Sequence, residues 1–243
     1  MFVAHTRDGQ RIEASAADYD TYYRCPECGA NVLVKEGPVV RRHFAHLARP
    51  PKCDLAGETQ LHLTMKQDMR NFFGQAQTQV EVPLVPGHRA DVVVPPQRLV
   101  VECQVSPIDS REWERRTLDY NRHHFAVLWV WSLARLGLSG TDEEINARVN
   151  GEVRIPLEVL RCHQSTYGRI YTLNRYGVFF AVHLYPVIRK DLEGYGYSRT
   201  LKTTRTLAVK HIDPVAAPSL ILPLANGMRL ARMETEHCWW PPN

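Results

Sequence analysis

The feature that most constrains this chain is a group of cysteines and histidines near its start. Cys25 and Cys28 are separated by two residues, and the pair His43 and His46 follows with the same separation. Two thiolates and two imidazoles at this spacing are typical of a closed tetrahedral zinc site with a structural role. Cys53 is a fifth candidate ligand, so a Cys3His site that uses only one histidine also fits.

The composition favours a globular protein of one or two domains. Of 243 residues, 44% are hydrophobic and 23% are charged. Six cysteines, two of them in a CxxC motif, favour metal binding over a disulfide scaffold. No apolar run approaches the roughly 18 residues of a membrane-spanning helix. We therefore expect a soluble, cytoplasmic protein without a membrane partner. The net charge of +4 is compatible with a polyanionic partner but does not identify one.

Turn residues divide the chain into three predicted regions. The step Asp8-Gly9 between two short extended runs predicts a hairpin, and the cysteine-rich segment follows it. A boundary near Gly57 makes residues 1–57 a hairpin and zinc-binding module.

Residues 58–134 carry the clearest periodicity. Apolar residues at the helical period predict a helix from Glu58 to Phe73, and a second helix is expected from Ser110 to about His123. Extended, mostly apolar runs predict strands at residues 80–85, 89–94, 99–105 and 125–131. The expected order is therefore helix, three strands, helix, strand.

Residues 135–243 give weaker signals, and their role stays open. Residues 141–149 resemble a short helix. Between residues 184 and 210, six basic residues stand against two acidic ones, which is compatible with a surface for a polyanion or with a solvated basic loop.

Carboxylates in the apolar segments suggest a second metal site. Side chains alternate along strands, so two adjacent strands can bring Asp91 and Glu102 together, and Glu58 falls on the apolar arc of the first helix. Buried carboxylates must be paired or hold a metal, and such oxygen ligands suit magnesium or manganese. The alternative is that Asp91 pairs with Arg89 or Arg116 and that Glu102 lies on an exposed face.

The combined pattern resembles a known family. A helix with Glu, a strand with Asp, a strand with Glu-x-Gln and a helix with Arg and Tyr resemble the core of PD-(D/E)xK nucleases. Residues 23–131 resemble the competence protein CoiA-like family, whose members have a zinc-finger-like N-terminal module and a restriction-endonuclease-like α/β nuclease domain. The matching segments are YRCPECGANV, RRHFAHL, ETQLHLTMK, HRADVVV, VVECQVSPI and ERRTLDYNRHHFAVLWVW.

The resemblance implies roles for four catalytic residues. Asp91 and Glu102 would bind the catalytic magnesium or manganese, and Glu58 would complete the acidic set. Gln104 stands where the superfamily usually has its catalytic lysine. A glutamine can hold a water or a phosphate oxygen by hydrogen bonds but brings no positive charge.

Four further residues are candidates for substrate binding. His62 would position a phosphate or act as an acid or base, unless it is a core histidine. Lys66 would supply the missing cation, unless it is simply solvated. Arg116 and Tyr120 are spaced i, i+4, so they could clamp and orient a phosphate, with an ion pair and core packing as the alternatives.

The leading hypothesis is a magnesium- or manganese-dependent DNA nuclease that acts in DNA processing, recombination or competence. A metal-activated water would hydrolyse the phosphodiester bond. A homodimer or larger assembly would suit cleavage of both strands. Two alternatives are a nucleic-acid-binding protein that has lost catalysis, favoured by Gln104, and a zinc-dependent adaptor that binds protein through residues 135–243.

Overall fold

Two principal sheets organise this mixed α/β structure. The computed structural model describes residues 1–48, 50, 52–53, 55–138, 144–145, 149, 151–166, 168–186, 188–190, 198–200, 206–215, 220–221, 227–233 and 235–236. No helix in these ranges is both long enough and apolar enough to cross a membrane.

The N-terminal module is a five-stranded antiparallel sheet. Its strands are β1 (Val3–His5), β2 (Arg11–Glu13), β3 (Tyr23–Arg24), β4 (Asn31–Lys35) and β5 (His43–His46), in the order β2-β1-β3-β4-β5. The hairpin predicted around Gly9 is confirmed, because β1 pairs with β2 and Gly9 adopts the positive φ of 86° that favours glycine. Tyr23, Val32 and Phe44 form part of a small core of the module's own.

The next elements follow the predicted order of helix, three strands, helix, strand. They are α1 (Gln60–Phe73), β6 (Gln79–Val85), β7 (His88–Val94), β8 (Leu99–Gln104), α2 (Ser110–Arg122) and β9 (Ala126–Ser132). Side chains cap both helices: Thr59 accepts a hydrogen bond from the amide of His62, and Asp109 accepts one from the amide of Arg111. Several ends differ by one or two residues from the sequence prediction.

The large sheet does not stop at residue 134. Its order is β10-β15-β12-β11-β9-β8-β7-β6, and β9 is parallel to both β8 and β11. The C-terminal strands in it are β10 (Glu152–Arg154), β11 (Arg169–Leu173), β12 (Phe179–Pro186) and β15 (Thr206–Pro214), and a third helix, α3 (Leu157–Ser165), precedes β11. The predicted division at residue 134 therefore does not coincide with an edge of the sheet.

Short strand pairs complete the described C-terminal elements. They are β13 (Ile188–Lys190) with β14 (Ser198–Thr200), and β16 (Leu220–Ile221) with β17 (Arg232–Met233). Most of the helix expected at residues 141–149 lies outside the described residues, as do most side chains of the basic stretch at 184–210.

Helices cover both faces of the large sheet. Leu63, Met65 and Met69 of α1 pack against one face, whereas Trp113 of α2 and Val159 of α3 pack against the other. The alternation along β7 is interrupted, because Ala90 and Val93 face α2 and α3 while Val92 and Val94 face α1. The recorded pairing of β7 with β8 covers only Val92–Val94, so the two strands separate at Asp91.

The N-terminal module is held against the core by buried contacts. Phe2 and Val3 belong to the same apolar cluster as α1. Their backbone amides donate hydrogen bonds of 2.8 and 3.0 Å to the two carboxylate oxygens of Glu81, and Arg11 Nη2 donates to the carbonyl oxygen of Val80 at 2.6 Å. Arg70 also pairs with Glu13 at 2.7 Å. The first strand is thus anchored to β6 and α1.

We expect Glu81→Ala to lower the free energy of unfolding by about 3–5 kcal/mol, because it leaves two buried amides and the buried ammonium of Lys66 without this carboxylate. Urea unfolding followed by circular dichroism measures the change. The matched control is Glu114→Ala, which removes a carboxylate that is 48% exposed and should cost less than about 1 kcal/mol. Equal losses in the two variants would contradict this role of Glu81.

Candidate active site and metal centre

Cys25, Cys28, His46 and Cys53 form a compact group of metal-ligating side chains. Their ligand atoms all lie within 4.8 Å of one another, and no other described residues form such a group. Cys25 Sγ is 3.7 Å from Cys53 Sγ, and His46 Nε2 is 3.4 Å from Cys28 Sγ and 3.8 Å from Cys53 Sγ. Zn–S bonds of about 2.3 Å in a tetrahedron place sulfur atoms about 3.8 Å apart, so this group fits zinc.

The structure corrects the predicted Cys2His2 ligand set at His43. The two histidines are three residues apart on β5, and residues at that separation in a strand point to opposite faces. His43 is buried, and its Nδ1 lies 2.7 Å from the carbonyl oxygen of Arg41. Cys53 takes its place, which gives the Cys3His alternative.

Burial protects two of the three thiols of this group from ionisation in the absence of metal. It raises the pKa of Cys25 and raises the pKa of Cys53 to about 12. Both thiols are therefore protonated near neutral pH, and a bound zinc ion would displace those protons.

A cleft of about 960 Å³ lies between the N-terminal module and the large sheet with its helices. Glu27 and Leu55–Gly57 line one side of it. Seven of the eight residues predicted to act in catalysis or substrate binding also line it, namely Glu58, His62, Lys66, Asp91, Glu102, Gln104 and Arg116. The eighth, Tyr120, is fully buried and donates a hydrogen bond to Glu102. The fold therefore gathers the predicted set into one place.

Asp91 lies where β7 separates from β8. The amide of Cys103 donates to Asp91 Oδ2 at 2.9 Å, and His62 Nε2 lies 3.1 Å from the same oxygen. Burial alone would raise the pKa of Asp91, but the charge of His62 and its hydrogen bond lower it below the ordinary value. Within the described part of the chain, Oδ1 accepts no hydrogen bond, so one carboxylate oxygen remains for a ligand in the cleft.

His62 bridges two carboxylates. Its Nδ1 lies 2.9 Å from Glu58 Oε1, and its Nε2 contacts Asp91. Burial alone would lower the pKa of His62, but Asp91 and Glu58 raise it to about 10. The ring is therefore a cation that donates from both nitrogens, rather than a neutral acid or base near pH 7.

Lys66 lines the cleft but is buried, so the alternative that it is simply solvated is wrong. Its side chain is 1% exposed, and Nζ lies 2.5 Å from Glu58 Oε1 and 2.6 Å from Glu81 Oε1. Glu58 Oε2 also pairs with the Met1 amine at 2.8 Å. Burial opposes the charge on Glu58, but Lys66, His62 and the amine hold its pKa well below the ordinary value.

Glu81 belongs to this network and was missed by the sequence analysis. It lines the cleft, is 1% exposed and adopts a left-handed φ of 51° inside β6. The sequence VEVPLV nevertheless carried a signal, because a charged residue in an apolar strand is the feature that singled out Asp91 and Glu102.

Glu102 lies deeper than Asp91, and both of its oxygens are occupied. Arg116 Nη2 donates to Oε2 at 2.7 Å and the Tyr120 hydroxyl donates to Oε1 at 2.8 Å. Burial raises the pKa of Glu102 to about 7, aided by the charge of Asp91 and opposed by Arg116. The alternative that Glu102 lies on an exposed face is therefore wrong.

Gln104 presents an acceptor to the cleft. Its Nε2 donates to the carbonyl oxygen of Ser106 at 2.6 Å, and because that partner can only accept, the side-chain oxygen must point the other way. Oε1 can therefore accept a hydrogen bond from water or contact a cation. The second N–H of Nε2 can still donate to a phosphate oxygen.

The oxygen atoms at the base of the cleft are of the type that a hard divalent cation binds. Asp91 Oδ1 and Gln104 Oε1 are oxygen atoms without a hydrogen-bond donor among the described residues, and Glu102 lies two residues before Gln104 on β8. Magnesium and manganese prefer such oxygen ligands. Internal cations neutralise Asp91 and Glu102, so a metal ion would compete with His62 and Arg116 for these carboxylates.

We expect the ring signals of His62 to stay constant in NMR spectra between about pH 5 and 8, where an ordinary histidine titrates. Because the folded pKa is raised to about 10, the stability gained from this proton is complete below the unfolded value of about 6.5 and is lost as the pH rises toward 10. Asp91→Asn should bring the titration toward neutral pH. A His62 that titrates normally in the wild type would contradict the bridge.

Two family models match consecutive parts of the chain. The competence protein CoiA N-terminal domain matches residues 6–56, and the competence protein CoiA nuclease-like domain matches residues 58–148. The two matches meet at the segment that leads from the Cys3His group into α1, and together they cover more than half of the chain. No match was found among the curated proteins or among the solved structures. The order of elements, the Cys3His group and these matches agree: the chain belongs to the competence protein CoiA-like family.

Proposed function

We propose that this protein is a metal-dependent DNA nuclease that hydrolyses phosphodiester bonds in DNA processing, recombination or competence. The observation that carries the proposal is the meeting of Asp91, Glu102 and Gln104 in one cleft of a nuclease-like domain. Magnesium or manganese, held by Asp91 and Glu102, would lower the pKa of a water and stabilise the charge that develops on the phosphate.

The surrounding residues prepare the carboxylates for this task. His62 keeps Asp91 and Glu58 ionised, and Arg116 and Tyr120 fix the orientation of Glu102. Gln104 Oε1 would accept a hydrogen bond from the attacking water and so orient it. Glu58 and Lys66 act through their ion pairs with His62 and Glu81, which they hold in place, and do not contact the substrate.

The alternative is a nucleic-acid-binding protein that does not cleave. It is favoured by two observations: both oxygens of Glu102 are committed to Arg116 and Tyr120, and Gln104 carries no positive charge. The adaptor hypothesis and the homodimer remain predictions from the sequence.

We expect the wild-type protein to cut labelled single-stranded, branched or duplex DNA when magnesium or manganese is added. Asp91→Asn and Glu102→Gln should each slow cleavage by about 100-fold or more, because each removes a charged metal ligand without changing the side-chain size. Gel electrophoresis of the products measures the rates, and Glu114→Gln, on the exposed surface of α2, is the control. DNA binding by the wild type without cleavage under either metal would establish the alternative function.

We further propose that the Cys3His group binds a structural zinc ion and thereby shapes the cleft. Cys53 lies five residues before Glu58, and the intervening Leu55–Gly57 line the cleft. Glu27, between Cys25 and Cys28, connects the metal group to this segment, because its Oε2 accepts a hydrogen bond from the amide of Leu55 at 3.2 Å. A metal that fixes Cys53 would therefore fix the approach to α1.

We expect about one zinc ion per chain in the wild type and in His43→Gln, but a large loss of zinc in Cys53→Ser, because serine replaces a thiolate ligand. Atomic emission measurements on dialysed protein quantify the metal. The two variants form a matched pair, because His43→Gln changes a residue outside the Cys3His group and Cys53→Ser changes a residue within it. Zinc lost from His43→Gln and kept by Cys53→Ser would restore the Cys2His2 set.

A further inference from the structure

Most cations that line the cleft are already neutralised by carboxylates. Each of the following has a carboxylate partner at 3.1 Å or less: Lys66, His62 and Arg116. Arg89 differs from all of them, because it has no carboxylate within 4.0 Å among the described residues. A negatively charged ligand that enters the cleft would therefore meet one cation, Arg89, that is not already paired with a carboxylate of the described residues.

The position of Arg89 is set by the backbone of β6. Its Nη1 donates to the carbonyl oxygen of Glu81 at 3.2 Å. Glu81 has a left-handed φ of 51°, and a register shift between β6 and β7 follows at Val82–Val85. Irregularities of this kind often redirect side chains next to a functional site. The contact uses only one of the five guanidinium N–H groups, and no other hydrogen bond of Arg89 is found in the described part of the chain.

Arg89 is also close in sequence and space to the proposed reaction centre. It lies two residues before Asp91 on the same strand, and both residues line the cleft. A guanidinium binds a phosphate through two parallel hydrogen bonds, which an ammonium cannot do. Gln104 supplies no charge and Lys66 is buried, so the cleft otherwise lacks a cation for the substrate.

We propose that Arg89 binds a phosphate group of the DNA strand in the cleft and holds that strand beside Asp91. This proposal deepens the proposed nuclease function and rests on it. Glu81 acts as a positioning residue, because its carbonyl oxygen orients the guanidinium while its carboxylate holds Phe2, Val3 and Lys66.

The test is DNA binding by the full zinc-loaded chain without added magnesium or manganese. Fluorescence anisotropy with labelled single-stranded and duplex oligonucleotides would be measured over a range of salt concentrations. Arg89→Gln should weaken binding about tenfold and reduce the slope of log K against log salt by about 1, as expected for one lost phosphate contact. Arg89→Lys should keep most of the slope but lose affinity, because it retains the charge and not the paired hydrogen bonds.

The matched control is Arg7→Gln, which removes the same charge from an exposed position in the β1–β2 turn, outside the cleft. Equal effects of Arg7→Gln and Arg89→Gln would overturn the proposal, and so would absence of DNA binding by the wild type. Cleavage assays distinguish failure of the nuclease function from failure of the role of Arg89. If the wild type binds through Arg89 but never cuts, only the nuclease function fails; if it cuts and Arg89→Gln leaves binding and KM unchanged, only the role of Arg89 fails.

Discussion

The buried ammonium of Lys66 is the interaction on which the candidate site depends. A charge that is 1% exposed is tolerated only when carboxylates surround it, and here Glu58, just before α1, and Glu81 on β6 do so. Glu81 in turn binds the amides of Phe2 and Val3, so the same network joins the N-terminal module to the core. One buried cluster of charges thus holds the N-terminal module and the residues that line the cleft in a fixed arrangement.

Charge balance explains how several carboxylates can share one cleft. His62 pairs with both Asp91 and Glu58, Lys66 supplies a second cation to Glu58, and Arg116 neutralises Glu102. Without these cations, burial would favour the protonated acids, as the raised pKa of Glu102 already indicates. Asp91 and Glu58 are therefore held in place and charged before any metal arrives. Glu102 is held in place by Arg116 and Tyr120, but its pKa of about 7 leaves it only partly ionised near neutral pH. Such positioning is the preorganisation that electrostatic catalysis requires. Arg89 stands apart because a backbone carbonyl, and not a carboxylate, holds it.

Sequence periodicity predicted the elements of the core well, because local propensity and tertiary packing agree there. Apolar residues at the helical period in α1 contact the sheet, and the apolar run of β9 is buried on both faces. The spacing of the metal ligands left two zinc sites open, because it did not fix the conformation of residues 43–46. His43 and His46 would share one side of a helix, but in a strand they point apart, so the predicted ligand pair is separated. The weaker pattern beyond residue 134 also did not indicate that the hydrogen-bonded sheet continues through β11.

The sequence by itself determined the residue types that can do the chemistry: cysteines and histidines as soft metal ligands, the carboxylates Asp91 and Glu102, and the glutamine at position 104. These follow from side-chain chemistry and short-range spacing. Only the tertiary structure decided which groups are available, because burial and ion pairing depend on elements distant in the chain. In the folded chain, Lys66 lies between Glu58 and Glu81, and Cys53 rather than His43 lies in the group of metal-ligating side chains. Arg89 has a backbone carbonyl as its partner. Long-range contacts set the electrostatic environment, and a local pattern cannot encode them.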